Sequence, residues 1–370
     1  MNPFIITAYN TPNYFCDREL EISKFYNAID NQRNIALIST RRMGKTGLIK
    51  HLEYLINEQN KHIFVYFDIM PTNNLSEFVA FFAENIFKTN SNRRNSIYKT
   101  FSKIFSAFKP SFTVNPANGE TKFNLEINSV EEGERSLNAI FEYIADSKKQ
   151  YIIAIDEFQQ IVNYPEKNFE AILRSYIQHL NNAVFIFSGS SKEILNSMFS
   201  SKRRPFYMSS DIMHLGTIPS DKYSEFIIRH FASGKMKISQ EVVDYILDLV
   251  NSHTYYVQLL CNRLYSCGIK EITIPQVHEV FLNILDENKF YFESYRNILT
   301  EYQWRLLRAI ARDDNPQELL SKEFATKHNL GSTSSTATAL KSLMKKEFIL
   351  HEDGKYSLHD LLLSACFRNF

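Results

Sequence analysis

Residues 34–52 read NIALISTRRMGKTGLIKHL. Ile35 to Ile38 is a short apolar run rich in β-branched residues, which predicts a buried strand. Gly47 to Tyr54 reads as the start of a helix. Between them, STRRMGKT departs at one position from the pattern G-x-x-x-x-G-K-[ST]. A strand, a tight loop and a helix start are the context in which that pattern cradles phosphate. Backbone N–H groups of Thr40, Arg41, Arg42 and Met43 would line one concavity, and the helix N-terminus adds partial positive charge. Gly44 would let the backbone approach a phosphate oxygen, and Gly47 follows the motif into the helix. Lys45 would reach the β- and γ-phosphates, and the Thr46 hydroxyl would ligate Mg²⁺. Ser39 stands where the first glycine is usual, and a small serine can take its place. An ordinary basic strand–helix corner could also read GKT, so a second signal is needed.

YIIAIDEFQQI, residues 151–161, supplies it. Five apolar residues, Tyr151 to Ile155, lead directly into Asp156 and Glu157. A near-continuous apolar run predicts a central strand of a parallel sheet. Two carboxylates at its C-terminal end lie where open α/β sheets bind ligands. Asp156 would serve the Mg²⁺ shell and Glu157 would polarise an attacking water. Solvated acids at a strand end are common, but not together with a phosphate loop about 110 residues earlier. HIFVYFDIM, residues 62–70, predicts another strand, ending near Asp68 and followed by a helix. AVFIFSGSS, residues 183–191, predicts a further strand. Ser188 or Ser190 at its end could sense a γ-phosphate, or simply form a turn. This alternation predicts a parallel sheet with helices on both faces.

Composition narrows the class. The chain has 370 residues, enough for two or three domains, with 44% hydrophobic and 22% charged residues. Its 30 Phe and 20 Tyr suit sizeable cores. A net charge of +1 gives no global case for nucleic acid or membrane. The four cysteines, Cys16, Cys261, Cys267 and Cys366, have no metal-site spacing. No signal peptide or membrane span is legible, so a cytoplasmic protein is expected.

These segments resemble the archaeal-type ATPase family, in the STAND branch of AAA+-related P-loop NTPases. The resemblance rests on NIALISTRRMGKTGLI and on FCDRELE, residues 15–21, which looks like the family's box ahead of the first strand. It extends to VFIFSGSSKEILNSMF and to NSHTYYVQLLCNRL, residues 251–264, which resembles the family's lid segment. The resemblance implies ATP with Mg²⁺ as ligands, with Arg18, Glu19 and Glu21 of the box near the adenine. Asp17 replaces the box's glycine, and the lid's Gly-x-Pro is here Ser252–His253–Thr254. Where relatives often carry Gly–Arg after Pro and an aromatic residue, this chain has Met208–Ser209. An arginine for the γ-phosphate is thus missing from its usual place. Arg203 or Arg204 could substitute, although a solvated basic turn is the commoner role, and Arg263 could face the nucleotide, although a helix-surface arginine is commoner.

The expected organisation is an ATPase domain at 1–216, a helical lid at 217–298 and a winged helix at 299–370. A β-hairpin insertion near 108–130 is expected within the first, with its turn at ANGE. In the winged helix the hairpin turn is expected at Asp353–Gly354. Its third helix could place Lys341, Lys345 and Lys346 against DNA phosphates. However, residues 301–370 hold ten Lys or Arg against nine Asp or Glu, and a DNA reader usually has a basic face. Regulatory packing or contact with a protein partner, through the winged helix or the insertion, is favoured over DNA. Three functions remain: a slowly hydrolysing ATP switch, a DNA-associated ATPase, and a nucleotide-binding scaffold without turnover.

Overall fold

The computed structural model describes residues 1–7, 9–89, 127–313, 316–352 and 354–369, and the backbone of 111–114 and 121–124. Two compact units divide the chain. The first comprises Met1–Phe226 with Ser252–Leu259, and the second Ile227–Asn251 with Leu260–Phe370. The segment expected as a lid therefore contributes to both.

In the first unit the elements run α1 (Glu19–Asp30), β1 (Ile35–Ile38), α2 (Lys45–Gln59), β2 (Ile63–Asp68) and α3 (Leu75–Thr89). The hairpin β3 (Ser111–Val114) and β4 (Thr121–Asn124) follows. Next come α4 (Val130–Ala145), β5 (Tyr151–Asp156), α5 (Phe169–Ile177), β6 (Ala183–Gly189), α6 (Lys192–Ser200) and β7 (Asp211–His214). Five strands form one parallel sheet in the order β2-β5-β6-β1-β7. The expected hairpin is present as the antiparallel pair β3–β4, while its turn at ANGE lies outside the described residues.

Burial explains the sequence pattern. Every residue of β1, β5 and β6 is buried, because helices cover both faces and no side chain can alternate out to water. Alternate residues still choose opposite faces. Ile38, Ile153, Ile155, Phe185 and Phe187 pack with α3 and α4 residues such as Phe78, Phe82 and Ile140. Leu37, Ile152, Ala154, Val184 and Ile186 pack with Phe25 of α1 and with Leu48, Ile49 and Leu52 of α2. By that alternation Ser188 lies on the α2 face of the sheet. Helix α4 shows why such a segment becomes helical: Leu137, Ile140, Phe141 and Ile144 form one buried stripe. The Ser129 hydroxyl caps its first turn by accepting from the Glu132 amide at 3.2 Å.

In the second unit, short strands β8 (Lys237–Ile238) and β9 (Glu271–Ile272) pair in parallel among helices. The chain there includes the C-terminal half of α7 (Ser220–Ser233), all of α8 (Gln240–Leu249), the C-terminal part of α9 (Thr254–Ser266), and α10 (Ile274–Ser294). The winged-helix pattern follows as α11 (Glu301–Arg312), α12 (Lys322–Lys327), α13 (Thr333–Lys345), β10 (Ile349–Glu352) and β11 (Lys355–Leu358). Thr300, Ser321 and Ser332 each cap the helix that follows them. Gly354 has φ +75°, as a tight hairpin turn requires, while Asp353 lies outside the described residues. A final helix, α14 (Leu361–Asn369), buries Phe367 edge-on against Trp304 at 4.8 Å. Among the described residues, no helix is long and apolar enough to cross a membrane.

Candidate functional site

The strands carrying the loop and the acidic pair are not neighbours, because β6 lies between them. The C-terminal ends of β1, β6 and β5 therefore bring residues 39–46, 188–190 and 156–157 to one edge of the sheet.

The loop itself turns through two left-handed positions, Arg42 at φ +63° and Gly44 at φ +95°. Ser39 is not left-handed, so a serine fits there without backbone strain. It is fully buried, and its hydroxyl donates to the Thr40 carbonyl at 3.0 Å. Gly44 is different, since its backbone lies where a Cβ is strained, although space for one exists beside Thr254. Lys45 opens α2 and is buried, with Nζ donating to the carbonyls of Thr40 at 3.0 Å and Ser39 at 3.3 Å. Burial pulls its ammonium below the usual lysine range. Glu157 and Asp156 oppose that shift, while Arg41 and Lys192 add to it.

Thr46 joins the loop to the acidic strand. Its hydroxyl donates to Asp156 Oδ2 at 2.8 Å, and the Tyr66 hydroxyl donates to the same oxygen at 3.1 Å. Burial, followed by Asp156, disfavours ionisation of Tyr66. Asp68 is register partner to Asp156 on the adjacent strand. Burial raises its carboxyl above the ordinary range, the Met70 amide pulls it back, and Asp156 and Glu157 add to the rise. Such a group binds its proton more tightly folded than unfolded, so it costs stability once pH exceeds the unfolded carboxylate range. Asp68→Asn is therefore expected to raise the Tm of nucleotide-free protein at pH 7 by on the order of 1–2 °C, discounted for partial exposure. Calorimetry at descending pH should show that gain disappear.

Glu157 sits at φ +54°, immediately beyond β5. Two features hold this turn. Its amide donates to Asp156 Oδ1 at 3.1 Å. Phe158 is fully buried against Phe187, 4.4 Å between ring centroids, and against Phe206 at 5.4 Å. Ser190 Oγ donates to Glu157 Oε2 at 2.9 Å, and Gln159 Nε2 donates to the same oxygen. Ser188 is fully buried, and its hydroxyl has no hydrogen-bond partner among the described residues. Ser190, rather than Ser188, is thus the serine engaged with the acidic pair.

The other named residues divide. Arg18 is buried, with its guanidinium held by Glu21 at 2.9 Å and by the Gly216 carbonyl at 2.8 Å. It ties α1 to the segment after β7. Arg204 pairs with Glu170 at 2.7 Å and Arg203 is exposed. Arg263 pairs on the surface of the second unit with Glu287. Met208 occupies the expected glycine position with a left-handed φ of +53°. Despite its altered triplet, the start of α9 does pack on the loop. Tyr255 lies under the Arg42 guanidinium at 4.5 Å, and Thr254 beside Gly44. An aromatic group flanks α2, where Phe15 stacks on His51 at 4.2 Å and Tyr9 hydrogen-bonds His51 Nδ1 at 3.0 Å. Tyr66, Tyr255 and Gln159 were not singled out from sequence. Only the placement of Tyr66 two residues before the strand-terminal Asp68 offered a local signal.

The donor set suits a magnesium polyphosphate. One hydroxyl and one carboxylate are in contact, a lysine stands beside them, and a second carboxylate lies adjacent. Among the described residues no cluster of three or more His, Cys, Asp or Glu is arranged to hold a metal ion. Mg²⁺ needs few protein ligands when phosphate oxygens supply the others.

The comparisons agree with this architecture. Residues 15–260 match the model of an ATPase domain predominantly from Archaea, and residues 290–369 match a winged helix domain. The Walker-type ATPase of Pyrococcus abyssi shares the fold at 19% identity with a TM-score of 0.67, covering 99% of each chain. The ORC2 protein of Aeropyrum pernix, solved as ADPNP–ADP complexes, aligns at 12% identity and TM-score 0.54, covering 99% of this chain and 97% of that one. Cdc6p of Pyrobaculum aerophilum aligns at 13% identity and TM-score 0.50, with 99% and 96% covered. No curated protein sequence matches the chain. With its phosphate-loop topology and a family match over most of its length, the chain belongs to the family of ATPase domains found predominantly in Archaea, joined to a C-terminal winged helix domain.

Proposed function

We propose that this chain binds ATP with Mg²⁺, hydrolyses it slowly, and acts as a nucleotide-dependent switch of the STAND type. One observation carries the reading: the Thr46 hydroxyl lies 2.8 Å from Asp156, with Glu157 next in the chain and bonded to Ser190. In this reading the loop from Ser39 to Gly47 surrounds the phosphates and Lys45 offsets their charge. Thr46 and Asp156 would hold Mg²⁺, which when bound would supply charge neutralisation for the transferring phosphoryl group. Glu157 orients the attacking water and accepts its proton. Ser190 fixes the Glu157 carboxylate and stands where the terminal phosphate would be sensed. The aromatic group of Phe15, His51 and Tyr9 is a candidate wall for the base.

Slow turnover follows from the cations. The position expected to carry arginine holds Ser209, and Arg204 is committed to Glu170. A switch needs only occasional hydrolysis, because the nucleotide state itself is the signal. The readout is assigned to the domains that follow and to a protein partner.

A second reading has one observation in its favour. Helix α13 exposes Ser334, Thr338, Lys341 and Lys345, and it carries no acidic residue. That face would suit a DNA phosphate backbone. ATP turnover of the purified chain with Mg²⁺, with and without duplex DNA, separates the readings. The switch predicts slow turnover indifferent to DNA. Stimulation by DNA, together with salt-dependent binding, would favour the DNA-associated ATPase. Tight ATP binding with no turnover would leave a nucleotide-binding scaffold.

A further inference from the structure

We propose that Gln159 is a positioning residue for hydrolysis: its side-chain amide fixes the Glu157 carboxylate, and Gly189 is glycine so that this amide can be seated. The inference rests on the ATPase reading above and gives a role to a residue that the reading of the acidic motif left without one.

Glu157 has a fixed backbone but a long side chain with three rotatable bonds. Without further restraint its carboxylate would sample several rotamers, few of them productive. Two donors restrain it. Ser190 Oγ donates at 2.9 Å to Oε2, and Gln159 Nε2 donates to that same oxygen. A hydroxyl from the end of β6 and an amide from the turn after β5 thus fix the carboxylate, leaving Oε1 as the oxygen that takes the proton from water.

The environment of Gln159 argues that its amide nitrogen is what matters. Its own Oε1 is buried and has no hydrogen-bond partner among the described residues. A buried carbonyl without a donor is unfavourable, so leucine would serve better if the position only filled space. Gly189 points the same way. A Cβ built there would lie 1.9 Å from Gln159 Oε1 and 3.0 Å from its Cδ. Any side chain at 189 would force the amide end of Gln159 to shift. The same Cβ would meet Leu195 Cδ1 at 2.9 Å, but that methyl ends a flexible chain and can yield. Gly189 also directly precedes Ser190, so one short segment both admits the amide and supplies the second donor.

The test uses the full chain with Mg·ATP, in the variants Gln159→Leu, Gln159→Ala, Gly189→Ala and the double variant Gly189→Ala/Gln159→Ala. Gln159→Leu should lower kcat about 10- to 100-fold while ATP affinity stays within about twofold, the signature of an interaction needed only for the chemical step. Gly189→Ala should lower kcat similarly. In the Gln159→Ala background it should add little, because the group it displaces is already gone. Thermal unfolding of each variant shows whether folding is intact. If Gln159→Leu lowers Tm, affinity and kcat together, the residue is structural and the proposal fails. If the parent turns over ATP and Gln159→Leu does so equally well, the proposal fails while the ATPase reading stands. A parent without turnover would overturn both. Should Gln159→Leu fail to fold, the Gly189→Ala pair decides, because additive losses would rule out coupling through the amide.

Discussion

Lys45→Ala is expected to weaken ATP binding by about 30-fold to several thousand-fold, the equivalent of roughly 2–5 kcal/mol for truncating one partner of a buried charge pair. The structure gives the reason for so large an effect. Lys45 is only 6% exposed, and its ammonium is bonded to backbone carbonyls of the loop. Burial disfavours its charge, and Arg41 and Lys192 disfavour it further, with only Glu157 and Asp156 in opposition. A cation held in such a place contributes little to folding. Its folded pKa is depressed, so at neutral pH the charged side chain costs stability, and that cost is relieved only above the folded pKa. Alanine removes the cost along with the charge. The Tm of Lys45→Ala should therefore match or exceed that of the parent at pH 7, while titration calorimetry with ATP shows the loss of affinity. Parent-like ATP binding would mean that the loop is not a phosphate site. A large fall in Tm would mean that Lys45 is an architectural residue.

Much of this site was legible in the residues themselves, for a local reason. An apolar run followed by GKT, and another followed by Asp–Glu, record how one strand ends and what stands at that end. Burial on both faces made β1, β5 and β6 read as continuous apolar segments. Strand order was not legible, because it depends on which segments pair across the sheet. The position of β6 between β1 and β5 is a non-local fact, and it is what brings Ser190 to Glu157. The same holds for Tyr66 and Asp68, which reach the acidic pair only because β2 pairs with β5 in the register Asp68↔Asp156. Arg18 shows the opposite limit. Its place in a recognisable box pointed to the nucleotide, and the box did not disclose the contacts that hold its guanidinium, to Glu21 and the Gly216 carbonyl. The departure at Ser39 has a simple account, since a position without left-handed backbone has no need of glycine. The altered lid triplet weakens the expectation that its segment contacts nucleotide, and it says nothing of contact with the loop. Tyr255 makes that contact with the loop through the Arg42 guanidinium, a route that no Gly-x-Pro pattern encodes.

Glu157→Gln is expected to leave ATP affinity within about threefold of the parent and to cut turnover by about 10²- to 10⁴-fold, the range for removing a general base. The substitution is close to isosteric, and the local hydrogen bonds survive it. The amide oxygen can still accept from Ser190 and Gln159, which both donate to Oε2. That choice turns the NH₂ group toward the position from which water would attack. A primary amide there can donate to water but cannot take its proton, so only the chemical step is affected. The left-handed backbone at this residue and the packing of Phe158 against Phe187 are untouched, so the fold should be retained. Nucleotide affinity should also survive, because the contacts assigned to phosphate and metal belong to Lys45, Thr46 and Asp156. Single-turnover measurements at saturating ATP, set beside equilibrium binding, separate these contributions. If binding and turnover fall together, Glu157 belongs to the metal shell or to the architecture of the turn. If neither falls, water is activated by another group, and Asp68, the third carboxylate at this sheet edge, becomes the residue to replace.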